Sequence, residues 1–340
     1  MNTYPILIDS YNRQVKSLRI SITKRCNLNC IYCHNEGNGG ATPYEMPPEM
    51  IAQVVNVASK HGVNKVKFSG GEPLIRPDFE EIISLLPKSA LKDISATTNG
   101  IGLHKRAAGL KEAGLDRVNI SLDSLDPKRY SKIIDSNGGK KLLNDAIAGI
   151  SASVDAGLTP VKINMVLIDN KMADNETNIY SEIDDMMDFA SGFGGKVILQ
   201  LIELMDTKYT NGQDTVNNNY RRFDVKAIEN MLQNRATSIK TRTMHRRKKY
   251  VVDGLEVEVV RPVDNSEFCA NCNRLRLTPD GMLKSCLLRT DDLFDINNKT
   301  DEQLHKILVD YTNLRKPYYS NTHNNTYTNF ANCNKGDVLQ

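Results

Sequence analysis

Six short runs rich in apolar and β-branched residues punctuate the first two-thirds of the chain, at 18–23, 65–70, 93–98, 117–122, 160–167 and 196–204. Between most of them lie longer runs of helical period, such as "PEMIAQVVNVASKHG" and "ETNIYSEIDDMMDFASG". The helical runs stop at Gly62, Gly114, Gly157 and Gly192, which is where glycine commonly ends a helix. Strands alternating with helices predict βα units on a parallel sheet. Six such units suit an incomplete barrel or an open doubly wound sheet.

The faces of the strands help to choose. In 18–23, Leu18, Ile20 and Ile22 alternate with Arg19, Ser21 and Thr23. Val66 and Phe68 alternate with Lys67 and Ser69, and Val118, Ile120 and Leu122 with Asn119, Ser121 and Asp123. Val161, Ile163 and Met165 alternate with Lys162 and Asn164. Side chains alternate faces along a strand, and parallel strands covered on both sides are apolar on both faces. Here the apolar faces are free to take helices and the polar faces to line a common interior. A closed eight-stranded barrel fills that interior with branched apolar side chains. Arg19, Lys67 and Lys162 instead predict a roomier, open barrel around an anionic ligand.

The pattern changes after residue 205. "TKYTNGQDTVNNNYRR" reads as loop, with strand candidates at 237–244 and 255–261 and a helical run near 301–312. "HRRKK" at 245–249 reads as a solvated basic face. The segment 321–340 reads as a polar, poorly ordered tail. No fixed-period repeat is present.

Composition narrows the class without changing the fold. A chain of 340 residues, 40% hydrophobic and 25% charged, suits one large α/β domain with an appendage, or two domains. No stretch approaches the ~18 apolar residues of a membrane span, and the start lacks a basic-then-apolar leader. These features predict a cytoplasmic protein with no membrane partner. The net charge of +3 is too small to imply nucleic-acid binding. In a reducing compartment, seven cysteines are unlike a disulfide framework and more like metal ligands or catalytic groups.

Six of them form two triplets. Cys26, Cys30 and Cys33 are spaced C-x3-C-x2-C directly after the first strand, and Cys269, Cys272 and Cys286 are spaced C-x2-C-x13-C. Cys333 is left over in the tail. Three thiols are one short of a closed structural zinc site and one more than a disulfide needs. Neither triplet has an obvious local fourth ligand, although His34 sits beside Cys33. Structural zinc completed by a histidine is one reading. A four-iron cluster with one iron left open to a small molecule is the other, and the position of the first triplet within a βα array favours it there.

"CNLNCIYC" together with "SGGEP" at 69–73 resembles the radical S-adenosylmethionine superfamily. With "LRISIT", "KFSGGEPL", "TTNG", "VNISLDSLD" and "FCANCNRLRLTPDGMLKSCL", the chain from about residue 10 to 290 is similar to the GTP 3′,8-cyclases of molybdenum-cofactor biosynthesis, and "CHNEG" resembles their archaeal branch. The resemblance implies an incomplete (β/α)6 barrel at 1–225, closed by a C-terminal region at 226–320. It implies a lyase with two [4Fe–4S] clusters, one on Cys26, Cys30 and Cys33 and one on Cys269, Cys272 and Cys286. The first would bind S-adenosylmethionine, source of a 5′-deoxyadenosyl radical, with Tyr32, Gly71, Ser121 and Met205 as contacts. The second would bind the guanine of GTP, with Arg19, Lys67, Thr97, Lys162, Arg274 and Arg276 also on the substrate. The product would be (8S)-3′,8-cyclo-7,8-dihydroguanosine 5′-triphosphate. Further partners implied are an electron donor, a second copy in a homodimer, and the downstream cyclic pyranopterin monophosphate synthase. The family pattern often has Arg where this chain has Gln200, and usually ends Gly-Gly where this sequence ends "GDVLQ". Two other readings are a peptide-modifying radical enzyme with an auxiliary cluster, and an iron–sulfur electron carrier or zinc-binding module. The spread of cations from Arg19 to Arg276 favours a triphosphate, and a bare carrier would tend to close each cluster with four cysteines.

Overall fold

In the computed structural model, which describes residues 4–38, 44–170, 178–205 and 220–319, each of the six apolar runs becomes a strand. These are β1 (Ser17–Ser21), β2 (Lys65–Ser69), β3 (Asp93–Thr98), β4 (Arg117–Ser121), β5 (Val161–Asn170) and β6 (Val197–Glu203). They pair in sequence order and all are parallel. The tail at 321–340, with Cys333, and most of the Asn-rich stretch lie outside the described residues.

Parallel neighbours need crossovers. Helices α1 (Pro48–Lys60), α2 (Phe79–Ser84), α3 (Leu103–Ala113), α4 (Pro127–Ile133), α5 (Gly139–Asp155) and α6 (Ile179–Ser191) supply them. In α1 a proline opens the helix, where its missing N–H is no loss. Ile51, Val54, Val55 and Ala58 then fall on one buried stripe. The strands answer with their apolar faces: Leu18, Ile20, Val66, Phe68, Val118, Ile120, Val161, Ile163 and Met165 are all 1% exposed or less. Each large side chain so buried contributes roughly 1.5–3 kcal/mol. Gly114 ends α3 at φ +108, a left-handed turn that glycine adopts without penalty. Gly192 departs from that pattern: it stays right-handed, and the reversal is made by Gly194 and Gly195.

The rest of the chain returns to both sides of this unit. β7 (Tyr220–Arg222) runs antiparallel to the end of β5, followed by α7 (Val225–Arg235). Then β8 (Ser238–Thr241), β9 (Lys248–Val252) and β10 (Leu255–Val260) form a meander, and β10 lies parallel to β6. After α8 (Ser266–Ala270), β11 (Arg274–Leu277) lies parallel to β1, with β12 (Met282–Lys284) and β13 (Phe294–Asp295) outside it. Helix α9 (Asp301–Asn313) packs on α1. The sheet order is β13-β12-β11-β1-β2-β3-β4-β5-β6-β10-β9-β8, so the curved sheet stays open and the later strands guard both of its edges. No described helix is long and apolar enough to cross a membrane.

Candidate active site

Register turns the polar strand faces into rows. Arg276, Arg19, Lys67, Ser95 and Arg117 are successive cross-strand partners from β11 to β4. Thr97, Asn119 and Lys162 form a second row, and Ser121, Asn164, Gln200 and Glu258 a third. Apart from the fully buried Glu258, the rows line a cavity of about 420 Å³. All sixteen residues singled out above sit on its wall: both cysteine triplets, Tyr32, Gly71, Ser121, Met205, Arg19, Lys67, Thr97, Lys162, Arg274 and Arg276.

The wall carries eleven Lys or Arg side chains against four Asp or Glu, so some charge must go unbalanced. Glu36, in a tight turn after Cys33, bridges Arg19 (2.6 Å) and Arg276 (2.7 Å). Burial opposes its ionisation, yet the two guanidiniums hold its carboxyl at about 2. Glu258 is fully buried and accepts from Lys162 Nζ (2.8 Å), Arg242 Nη1 (2.5 Å) and Gln200 Nε2 (2.7 Å), with Arg247 Nη1 at 3.5 Å. Burial pushes the Lys162 ammonium down to about 7 despite Glu258. Among the described residues no carboxylate pairs Lys67 or Arg274. Burial, then Arg117 and Arg19, drive Lys67 well below the usual lysine range, and burial with Arg19 and Arg276 lowers Arg274 to about 9. Clustered like charges in a cavity are unstable alone and attract an anion.

The first triplet lies in the loop leaving the C-terminal end of β1. The Gly71 amide donates to the Thr23 carbonyl and the Glu72 amide to that of Arg25, both at 2.8 Å. A Cβ on Gly71 would stand 2.0 Å from the Arg25 oxygen, so glycine is required for this contact. The buried Glu72 carboxylate accepts from Leu74 N (2.9 Å), Thr98 Oγ1 (2.7 Å) and Asn99 N (2.7 Å), while burial raises it to about 7. Asn99 Nδ2 donates to Asn27 Oδ1 at 2.7 Å, beside Cys26. Tyr32 donates to Asp123 Oδ2 (2.7 Å), whose other oxygen takes the Val166 amide (2.8 Å).

In the second triplet, the antiparallel turn from β11 to β12 returns Cys286 to the wall that carries Cys269 and Cys272. The Asp9 carboxylate, inaccessible to solvent, holds Arg13 Nε (2.8 Å) and Arg315 Nη1 (3.2 Å). Arg13 donates to the Cys269 carbonyl (3.0 Å), and Arg315 to those of Cys272 (3.3 Å) and Arg274 (3.1 Å).

Free thiols are the donors that an iron–sulfur cluster takes. The six thiols are free of disulfides. Backbone amides point at sulfur: Leu28 at Cys26 (3.5 Å), Asn35 at Cys33 (3.4 Å), Tyr318 and Tyr319 at Cys269, and Leu288 at Cys286. Such donors tune and stabilise cluster thiolates. His34 lines the same wall with Nδ1 buried and without a partner.

Several residues in the wall or behind it escaped the sequence reading. The basic run at 245–249 is not a uniform solvated face: Arg246 and Lys248 are exposed, but Arg247 and the buried His245 turn into the cavity. His245 stacks on Phe268 at 3.7 Å, next to Cys269. Arg117 was visible as an extension of the polar face of β4. Glu258 alternates with Val257 and Val259 in β10, a signal of the same kind. Glu36 had no such signal.

Residues 20–177 match the family described as the Radical SAM superfamily, and residues 197–321 that described as Molybdenum Cofactor Synthesis C. The chain is 54% identical over 319 residues to a Methanosarcina acetivorans protein named probable GTP 3′,8-cyclase, covering 92% of this chain and 90% of the relative. A Methanocaldococcus jannaschii protein of the same name is 43% identical over 314 residues, covering 92% and 98%. Among solved structures, Streptococcus suis SuiB bound to precursor peptide SuiA aligns with TM-score 0.62 at 15% identity, over 88% of this chain and 66% of SuiB. Native anSMEcpe with bound AdoMet aligns with TM-score 0.55 at 20% identity, over 85% and 79%. At such identities the two structures share the fold alone.

Proposed function

The chain belongs to the GTP 3′,8-cyclase family within the radical S-adenosylmethionine superfamily, and on that premise we propose that it converts GTP to (8S)-3′,8-cyclo-7,8-dihydroguanosine 5′-triphosphate, the first step of molybdenum-cofactor biosynthesis. Family membership brings a [4Fe–4S] cluster and S-adenosylmethionine. When bound, they supply a 5′-deoxyadenosyl radical that takes a hydrogen atom from substrate.

The observation that carries the reading is one cavity whose wall holds both thiol triplets and more cations than acids. Cys26, Cys30 and Cys33 would hold the radical-generating cluster. Tyr32, Gly71, Ser121 and Met205, all at or beyond the C-terminal ends of their strands or in the cysteine loop, would position S-adenosylmethionine. We assign a second cluster to Cys269, Cys272 and Cys286. Arg19, Lys67, Thr97, Lys162, Arg274 and Arg276 would receive GTP: fixed Lys and Arg donors suit phosphate oxygens, and the later strands cover both edges of the six-stranded unit. The division into a barrel at 1–225 and a substrate-side region at 226–320 belongs to the same proposal, supported by β1 to β6 falling before residue 225 and the second triplet after it. An external electron donor, a homodimer and hand-over to cyclic pyranopterin monophosphate synthase complete it. A cytoplasmic setting is supported by the free thiols.

The test is anaerobic incubation of reconstituted protein with S-adenosylmethionine, reductant and GTP, followed by mass analysis. Both 5′-deoxyadenosine and a cyclised nucleotide are expected. Formation of 5′-deoxyadenosine with GTP returned intact would overturn the substrate assignment.

A further inference from the structure

Of the four acids on the cavity wall, three are taken up away from the cations assigned above to substrate. Glu72 accepts from the Leu74 and Asn99 amides and from Thr98, Asp93 holds Arg117, and Glu203 accepts the Val263 amide at 3.3 Å. Glu36 differs. Its two oxygens accept separately from Arg19 Nη2 and Arg276 Nη1, so it takes from two guanidiniums the donors that a phosphate would use. Burial opposes its charge, but the two guanidiniums keep the carboxyl at about 2, and it is an anion at any working pH. The backbone beneath it is fastened. Asn35, Glu36 and Gly37 are all left-handed, at φ +46, +52 and +65, a conformation unfavourable for the first two. The Asn35 amide points at Cys33 Sγ (3.4 Å), Lys284 Nζ donates to the Gly37 carbonyl (2.6 Å), and Asn38 Nδ2 donates to Ser21 Oγ (3.0 Å). A Cβ on Gly37 would stand 2.4 Å from the Leu287 oxygen, so the turn is pressed against the second cysteine loop. Among the described residues, the hydrogen bonds of the carboxylate itself are those to the two arginines.

We propose that Glu36 is an internal latch: a tethered carboxylate that occupies the Arg19–Arg276 pair in the empty site and swings aside, by rotation of its own side chain, when a substrate phosphate takes the pair. The inference rests on the GTP reading above and adds to it a competitor built into the chain. A tethered anion meets its cations at an effective concentration that a free one does not reach. The work of displacing it is common to every anion. A nucleotide held also through base and ribose can supply that work, whereas free phosphate or pyrophosphate has no other hold on the wall. The latch therefore keeps small anions from claiming the empty site, and it does so without a lid, since only the Glu36 side chain has to move.

The experiment uses the anaerobically reconstituted holoprotein. Calorimetric Kd is measured for pyrophosphate, GTP and guanosine in the wild type, in Glu36→Gln, and in a control of the same charge change on the exposed side of α3, Glu112→Gln. Glu36→Gln is expected to bind pyrophosphate and GTP each about tenfold more tightly than wild type, with guanosine unchanged and the control indistinguishable from wild type. The sign is what decides. A carboxylate that merely positions the arginines for substrate gives weaker binding when it is neutralised, so weaker or unchanged binding of pyrophosphate and GTP would overturn the latch. An equal gain for guanosine, or the same gain in the control, would overturn it too, by tracing the effect to a loosened fold or to net charge. If Glu36→Gln loses its cooperative melting, Glu36→Asp takes its place: one methylene shorter, it is expected to show a smaller gain of the same sign, and a loss would sink the proposal. Wild type that binds neither GTP nor guanosine would remove the GTP reading, and the pyrophosphate comparison would still decide the latch.

Discussion

Lys67 and Arg274 are half-buried in the barrel wall, and among the described residues no acid balances either one. A bound polyphosphate supplies what the chain withholds. Arg274→Ala should therefore weaken GTP binding about 10- to 100-fold, the scale of one charge-assisted contact of about 1.5–3 kcal/mol, as read by calorimetry. Lys162 adds a pH signature. Its ammonium is lowered to about 7 by burial in the free protein, and a nearby phosphate raises it again. Binding should take up protons around and above pH 7, and affinity should fall as pH rises from there; calorimetry in buffers of different ionisation enthalpy reads this directly. The same lowering makes stability rise with pH above about 7, because there the unfolded chain binds the proton that the folded one has lost. Arg19, Lys67 and Lys162 were legible in the sequence because each breaks an apolar alternation. Glu36 was not, since its partners are set by the pairing of Arg19 with Arg276, which is fixed only when β11 docks on β1.

At the scale of elements, the loop after β1 and the turn after β2 are one unit, fastened by two backbone hydrogen bonds and a glycine contact with no room for a methyl group. Gly71→Ala should displace the loop bearing Cys26 at a cost of about 1–3 kcal/mol. Iron bound at the first triplet and 5′-deoxyadenosine formation should fall together, with the fold retained by circular dichroism. An unchanged iron content would show that the loop tolerates the shift. The six parallel strands were legible because their apolar runs are long and their flanking helices periodic. β9, β11, β12 and β13 were not, being two to five residues long and stabilised by neighbours distant in sequence. The run at 245–249 was misread for a related reason: a tight turn at His245, φ +61, sends adjacent basic residues to opposite sides.

For the whole molecule, the later third of the chain is split between the two edges of one sheet, so neither the six-stranded unit nor the second triplet stands apart from the other. Asp9 is the tightest example. Asp9→Asn strips the counter-charge from Arg13 and Arg315, both nearly inaccessible, and should cost about 3–5 kcal/mol. It should also halve the iron of reconstituted protein, from about eight to about four. A lower melting temperature with full iron would confine Asp9 to a structural part.

The fastening of the second cysteine loop sets an order of manufacture. A ribosome makes Asp9 and Arg13 early, but the carbonyls of Cys272 and Arg274 have no guanidinium to meet until Arg315 has been synthesised. The loop of the first triplet meets its last partners at Ile133, Ile134 and Asp135, all made before Cys269. Iron supplied during translation thus finds one nest built and the other still missing its last twig.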